Sequence, residues 1–348
     1  MPNDEMRPRT RVTMKEVARA AGVSQSTVSF VLNGNDNMRI GAETRSRVLK
    51  AVADLGYRPR GAGRPPGAVS RRVIGAMFDE VATSPFAAIS IEGLQEEAWK
   101  AGVMVEVVMT GGDRSYETEV LRKWASDRVD GVVYGSILTR AVTPPEALSR
   151  HNAVLLNCHD PDGRFPAVVP AERRGGEAAT RLLLEAGHRR IAFISGEPWM
   201  DASDQRMEGY ERALRAAGMT VDPALIEEGN FLPSGGYAAT RRLLDRTRPD
   251  AIFCANDLTA IGCYEALKER GERVGETIAV MGYDDQEIAQ HLNPPLSTVL
   301  LPHREMGQWC VRRILDGTGA PPTLERMECP TVPRRSHLGM AQDGQERT

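Results

Sequence analysis

The residues of this chain able to do chemistry are few and scattered. Six histidines (His151, His159, His188, His291, His303, His337) and five cysteines (Cys158, Cys254, Cys263, Cys310, Cys329) form no C-x-x-C pair and no short His/Cys spacing of the kind that wraps a metal ion. No G-x-S-x-G turn presents a nucleophile, and no P-loop cradles phosphate. Asp284-Asp285 is the one close carboxylate pair in a loop suited to a site, and adjacent carboxylates on a loop seldom point to one spot, which argues against shared acid/base work. Gly61, Gly63 and Gly67 imitate a dinucleotide fingerprint, yet they follow no strand and enclose Pro65-Pro66. No catalytic residue, no metal and no cofactor is expected; the residues predict a binder and not an enzyme.

Whatever is bound, alternating elements must hold the binding groups. From Val73 onwards β-rich runs at 73–78, 104–109 and 131–134 alternate with amphipathic stretches at 89–101 and 115–126, the βαβ rhythm of a parallel sheet. The rhythm restarts with helices near 175–186, 206–217 and 258–270 around runs at 191–195, 251–254 and 278–282. Two sheets of similar build are expected, and open parallel sheets carry their ligand loops at strand carboxyl ends. Polar groups stand there: Ser84-Pro85-Phe86, Asn157, Arg206, Asn256-Asp257 and Asp284-Asp285.

The first 60 residues follow another plan. Thr13-Met14-Lys15-Glu16 has capping-box spacing, Val17, Ala18 and Ala21 turn inward, and Gly22 ends the helix where a positive φ costs little. Ser24 can cap a second helix, 25–32, with Val28, Val31 and Leu32 inward and Gln25, Ser26 and Ser29 outward; a third places Val48, Val52 and Leu55 on one face and closes at Gly56. Up to residue 72 the 348-residue chain holds 14 Lys+Arg against 6 Asp+Glu, a net +8, leaving −11 for the remainder. A basic helical head with short polar residues at a helix start predicts contact with nucleic acid. A three-helix protein-interaction module would share the apolar spacing but has no use for that charge. The scattered cysteines predict reduced thiols, and no apolar run approaches a membrane span, so a cytoplasmic protein without membrane contact is expected.

One series is specific: Val12-Thr13-Met14-Lys15-Glu16-Val17-Ala18, Ala21-Gly22-Val23-Ser24, Ser26-Thr27-Val28-Ser29, Val31-Leu32-Asn33-Gly34 and Leu55-Gly56-Tyr57-Arg58-Pro59. It resembles the LacI/GalR (lactose-repressor) family of transcriptional regulators, and the resemblance continues through His188-Arg189-Arg190-Ile191, Arg206-Met207-Glu208-Gly209-Tyr210, Ala255-Asn256-Asp257 and Gly282-Tyr283-Asp284-Asp285. It implies an all-α helix-turn-helix head and an α/β periplasmic-binding-protein-like body of two parallel-sheet, Rossmann-like lobes. The expected divisions are a tail at 1–11, head at 12–58, hinge at 59–72 and body at 73–340, with lobe one at 73–168 and 296–340, lobe two at 169–295, and the last of three crossings near Pro294-Pro295-Leu296. The implied function is sequence-specific regulation of transcription, chiefly repression, by a homodimer on near-palindromic double-stranded operator DNA, under control of a small-molecule effector in the cleft.

By this likeness Gln25 and Ser26 read bases, Phe30 takes a third reading position, and Thr13, Ser24, Thr27, Ser29, Asn33, Tyr57, Arg58, Arg60 and Arg64 join the DNA contacts. Phe30 donates no hydrogen bond, and two readings stand: contact with a thymine methyl, or packing against the head. In the body Arg206, Asn256 and Asp284 match effector contacts, Phe231 an aromatic that packs on the ligand, and Phe86 and Asn157 pocket-lining positions. Arg and Asp suit vicinal hydroxyls while an aromatic face covers C–H surface, so a carbohydrate is the expected ligand. Asp257 and Asp285 have a second reading as helix caps. Trp199-Met200 either shape the pocket or meet the partner subunit, and Met306, Trp309 and Ile314 serve either the dimer or the core. Where the family has Asp-Asn after the fifth strand, this chain has Ala171-Glu172.

The linker departs from the family pattern. Relatives form a hinge helix here and wedge a Leu, nine residues past the Tyr, into the minor groove; that place is Pro66, and Gly61, Gly63 and Pro65 weaken any helix around it. Two readings of 59–65 are open: a flexible linker, and an AT-hook whose Arg60 and Arg64 enter an A·T groove.

Overall fold

The computed structural model describes residues 12–32, 40–55, 57, 72–81, 85–317 and 322–339. Asn33, Arg58, Arg60, Arg64, the hinge question and the tail lie outside the described residues. The chain divides between Arg71 and Arg72 into two compact units.

The first unit has three helices, α1 (Met14–Ala21), α2 (Gln25–Leu32) and α3 (Ala42–Leu55). Glu16 accepts from the Thr13 N–H at 2.6 Å and hydroxyl at 2.8 Å, closing the capping box, and Gly22 ends α1 at φ 65°. Val17, Ala18, Ala21, Val28, Val31, Val48 and Ala51 form the core. Leu55 does not join it as expected: it is 38% exposed, and Tyr57, at 8%, is the buried residue. The chain turns back after α3, with the Tyr57 N–H on Val52 O at 3.1 Å, and swings the larger ring inward.

The second unit holds two lobes. In lobe one, β1 (Arg72–Phe78), β2 (Val103–Met109), β3 (Gly131–Ala141), β4 (Ala153–His159), β5 (Ala167–Pro170) and a late strand, β11 (Leu324–Met327), make a parallel sheet in the order β11-β5-β4-β3-β1-β2. Helices α4 (Pro85–Lys100) and α10 (His303–Leu315) pack on one face, and α5 (Arg114–Asp127) on the other. Met306 and Ile314 are buried between sheet and helices, with Trp309 packed beside them, so all three serve the core. Glycines let α4 and α10 touch backbone to backbone: a Cβ on Gly93 would lie 2.1 Å from Arg304 O, and one on Gly307 2.3 Å from Ser90 O.

Lobe two has a parallel sheet in the order β7-β6-β8-β9, built from β6 (Ile191–Ile194), β7 (Ile226–Glu227), β8 (Ala251–Cys254) and β9 (Ala279–Met281). Around it stand α6 (Glu172–Glu185), α7 (Asp201–Ala216), α8 (Pro233–Arg246) and α9 (Asp257–Glu269). The expected chain division needs correction here. The Gly282 and Asp284 N–H groups donate to Ser297 O and Val299 O, which places β10 (Thr298–Val299) beside lobe two, and β12 (Thr331–Val332) pairs antiparallel with β10. Ser336 receives the Val280 N–H at 2.8 Å, so the final segment returns to lobe two instead of remaining in lobe one. The crossings therefore fall after β5, between β10 and α10, and between β11 and β12. Backbone pairing with β9 decides this, a long-range fact that a Pro-Pro signal does not carry.

All five cysteines are buried free thiols. No described helix is long and apolar enough to cross a membrane.

Candidate functional site

In the head, the start of α2 is built by hydroxyls. Ser24 Oγ accepts the Thr27 N–H at 3.1 Å and lies 2.8 Å from both Ser26 Oγ and Thr27 Oγ1, capping the helix. Gln25 and Ser26 are exposed at the first turn, with Thr27, Ser29 and Phe30 half-buried beside them and Thr13 exposed at the start of α1. Phe30 is half-buried and is not among the described residues packed on the head's core. Tyr57 is a packing residue whose ring faces inward.

In the body, a cavity of about 580 Å³ opens between the lobes. The first turns of α4 supply Phe86, Ala88 and Ile89; the loop after β9 supplies Asp284 to Ile288 and His291. Behind Asp284 lies a buried ionic cluster. Arg206, on α7, gives its Nε and Nη2 to the two oxygens of Glu172 at 2.9 and 3.0 Å, its Nη1 to Ala255 O at 2.5 Å, and approaches Asp284 at 3.4 Å. Its guanidinium lies 3.8 Å over the Tyr283 ring and 5.8 Å from that of Phe231. Burial opposes the Arg206 charge, but Glu172 and Asp284 more than offset it and hold its pKa above the ordinary value. Burial also pushes Asp284 up to about 7, against the pull of Arg206.

Backbone geometry is strained at the same place: Asp284 has φ 108°, Asp285 51° and Phe231 59°, a region that non-glycine residues seldom occupy, and Asn157, in lobe one, has φ 57°. Asp284 is fixed by its N–H on Val299 O at 2.8 Å, and Asp285 by Arg334 at 2.7 Å. The Phe231 ring lies against Gly196, where a Cβ would come within 2.0 Å of it.

The structure thus brings Phe86 and Asp284 to one cavity, and links Arg206, Phe231 and Asn256 behind it. The Asn256 oxygen caps α9 through the Thr259 N–H at 2.8 Å, and its Nδ2 donates to Phe231 O at 3.1 Å. Capping falls to Asn256, not to Asp257 or Asp285 as the alternative reading had it: Asp257 accepts from Thr298 and Gln286, and Asp285 pairs with Arg334. Asn157 stands apart, its amide bound to Thr139 Oγ1 at 2.7 Å and Ser136 O at 3.0 Å within lobe one. Trp199 is exposed and outside the cavity lining.

Two residues join the site on structural grounds: Glu172, which the sequence marks only as a departure from the family's Asp-Asn, and His303, to which it assigns no role. Glu172, the first residue of α6, neutralises Arg206. His303, the first residue of α10, stacks on Phe86 with ring centroids 5.0 Å apart; both its ring nitrogens are buried without a hydrogen-bond partner. Burial, with the Arg206 charge, lowers His303 from 6.5 to about 4, so the native ring is neutral. A neutral buried histidine gives up stability on acidification, because below about 6.5 the unfolded chain takes a proton that the folded ring refuses until about 4. His303→Phe should remove that component: the variant's urea midpoint relative to the parent's should rise steadily across this window. A constant difference would contradict the assignment. Among the described residues no group of three or more His, Cys, Asp or Glu is placed to hold a metal ion.

Comparison with known proteins agrees with the fold. Residues 13–60 match the model of bacterial regulatory proteins of the lacI family, and residues 180–337 that of a periplasmic binding protein-like domain. The chain is 36% identical over 302 residues to the HTH-type transcriptional repressor PurR of Vibrio atlanticus (strain LGP32), covering 85% of this chain and 89% of that one. It is similar to the solved transcriptional regulator CelR–cellobiose complex, at 32% identity and a TM-score of 0.63 over 94% of this chain and 100% of the other. It is also similar to the Lac repressor dimer bound to operator and the anti-inducer ONPF, at 25% identity and a TM-score of 0.67 over the same shares.

Proposed function

The chain belongs to the lacI family of bacterial regulatory proteins, and on that premise we propose that it represses transcription as an operator-bound dimer whose hold on DNA is set by a sugar or related metabolite in the interlobe cavity. Membership makes it a DNA-binding transcription regulator; the cavity and its residues are our assignment. The observation that carries it is the meeting of Phe86 from lobe one with Asp284 from lobe two in one recess, over a cluster that orients the carboxylate. A ligand touching both lobes favours one arrangement of them over another, which is what a switch requires. Phe86 and Asp284 are the contacts; Arg206, Phe231 and Asn256 stand behind and position them. The outward Gln25 and Ser26 suit base edges in a major groove. Exposed Trp99, Met104, Met109 and Tyr116 give lobe one an apolar surface suited to a second copy.

Selection of bound duplexes from a random pool by the full chain should enrich a near-palindrome with two half-sites one helical turn, or a multiple of it, apart. Thermal shift should then detect the effector, since a cavity ligand at about a hundred times its Kd stabilises the folded chain by about 2.7 kcal/mol. A pool that yields no motif would remove the operator reading. A sugar that binds without altering operator affinity would remove the switch.

A further inference from the structure

We propose that the chain has a second ligand site, apart from the cleft, where four arginines at the junction of the two lobes bind a phosphoryl group, free or esterified. The site stands independently of the effector reading above.

A recess of about 300 Å³ lies where α6 and α7 of lobe two meet β11 of lobe one, and it shares no lining residue with the cleft. Arg173 and Arg174 come from the first turn of α6, Arg212 from α7 and Arg326 from β11; Glu177 is the one carboxylate of the lining. The Ala171 N–H on Met327 O at 2.8 Å ties the chain entering α6 to β11 and holds the two walls together. Strand β11 is the edge of its sheet farthest from β2, so a second copy seated on the exposed Met104 and Met109 of β2 would lie across the sheet from the recess.

The protein's own carboxylates leave donors of these arginines unused. Arg173 pairs with Glu208 through Nε, Arg174 with Glu328 through Nη1, and Arg212 with Glu177 through Nε at 3.4 Å; Glu208 and Glu328 are outside the lining. Each of these pairs is made by one nitrogen of a guanidinium that carries five N–H donors. All three arginine side chains are about half exposed or more, where a surface pair contributes little and yields to a better acceptor. Among the described residues Arg326 makes no ion pair or hydrogen bond, and neither does Gln205, half-buried in the same wall. Four arginines against one glutamate call for an anion of more than one charge. A phosphoryl group brings about two charges near neutral pH and three acceptor oxygens, and the planar fork of a guanidinium meets those oxygens two at a time.

A neighbouring recess of about 540 Å³ shares Arg174 and Arg326 and adds Leu300, Pro302 and Pro330, a wall for the organic part of an ester. Ala171 and Gln205 line the first recess, and next to them in the chain stand Glu172 and Arg206, the buried pair behind the cleft. A ligand held by α6, α7 and β11 ties lobe two to lobe one beside that pair and favours the arrangement that keeps the arginines together.

The test is calorimetric titration of the full-length chain with inorganic phosphate and with glucose 6-phosphate. At least one should bind, and the tighter of the two identifies the source of the phosphoryl group. Arg326→Ala should weaken that probe roughly ten- to hundredfold, and Arg174→Glu with Arg326→Glu should abolish its binding. Both side chains are exposed, so the variants should keep the parent's melting point without phosphate and lose the rise that phosphate gives the parent. Ala88→Trp, which fills the cleft from α4, should leave phosphoryl binding unchanged. Failure of both probes to bind overturns the proposal. So does binding that survives Arg174→Glu with Arg326→Glu, which would assign the anion to the basic head, and so does its loss in Ala88→Trp, which would assign it to the cleft.

Discussion

Replacing Arg206 with alanine should cost lobe two about 3–5 kcal/mol, because it leaves buried carboxylates without their counter-ion. The Glu172 and Asp284 side chains are only 2% and 5% exposed and face the same guanidinium. Ala255 O would lose a donor as well. Asp284 can relieve part of this by taking a proton, being already pushed up to about 7, so the loss should deepen as pH rises through that value. Arg206→Met combined with Glu172→Leu should recover much of the stability, since removing a buried pair together costs far less than removing one half. Urea denaturation of the full chain across pH is the measurement, and a loss below about 1 kcal/mol for Arg206→Ala would refute the buried-cluster account. A failed ligand response in that variant would therefore report a damaged lobe before it reported a missing contact.

The second large effect lies in the head. Gln25→Ala with Ser26→Ala should lower affinity for the selected operator by roughly a hundredfold, as each good base contact is worth about 1–3 kcal/mol. Affinity for scrambled duplex and its salt dependence should change little, because phosphate contacts carry those. Both side chains are exposed, and the Ser24 cap on the Thr27 N–H survives the loss of Ser26 Oγ, so a thermal melt of the variant should show the head still folded. Fluorescence anisotropy on the two duplexes measures the ratio; an unchanged ratio would show that α2 does not read sequence.

The head was legible because its signals are local. Thr13 and Glu16, Gly22, and Ser24 each act within four residues of themselves, and the structure uses them as their spacing predicts. Strands β1, β2, β3, β6, β8 and β9 were legible from β-rich runs; the short β5, β7, β10, β11 and β12 were not. Helix α8 was not: its buried positions Gly236, Ala239, Thr240 and Leu243 have helical spacing, but three of the four are small residues that a search for large apolar side chains passes over. The candidate site was half legible. Phe86 and Asp284 could be placed at strand ends, but whether Arg206 meets ligand or protein depends on Glu172, 34 residues earlier, and no short-range pattern reports that. His303 carried no signal at all, since its meaning comes from what surrounds it in three dimensions.

The glycine contact between α4 and α10 has a mechanical result. Phe86 and His303 ride on these two helices, and at Gly93 and Gly307 the helices meet backbone to backbone, with no side chain at those points to be compressed or slid aside. Packed interiors transmit displacement and do not absorb it. Pressure on either ring therefore loads both helices together, and that flank of lobe one answers as a stiff plate instead of two independent rods.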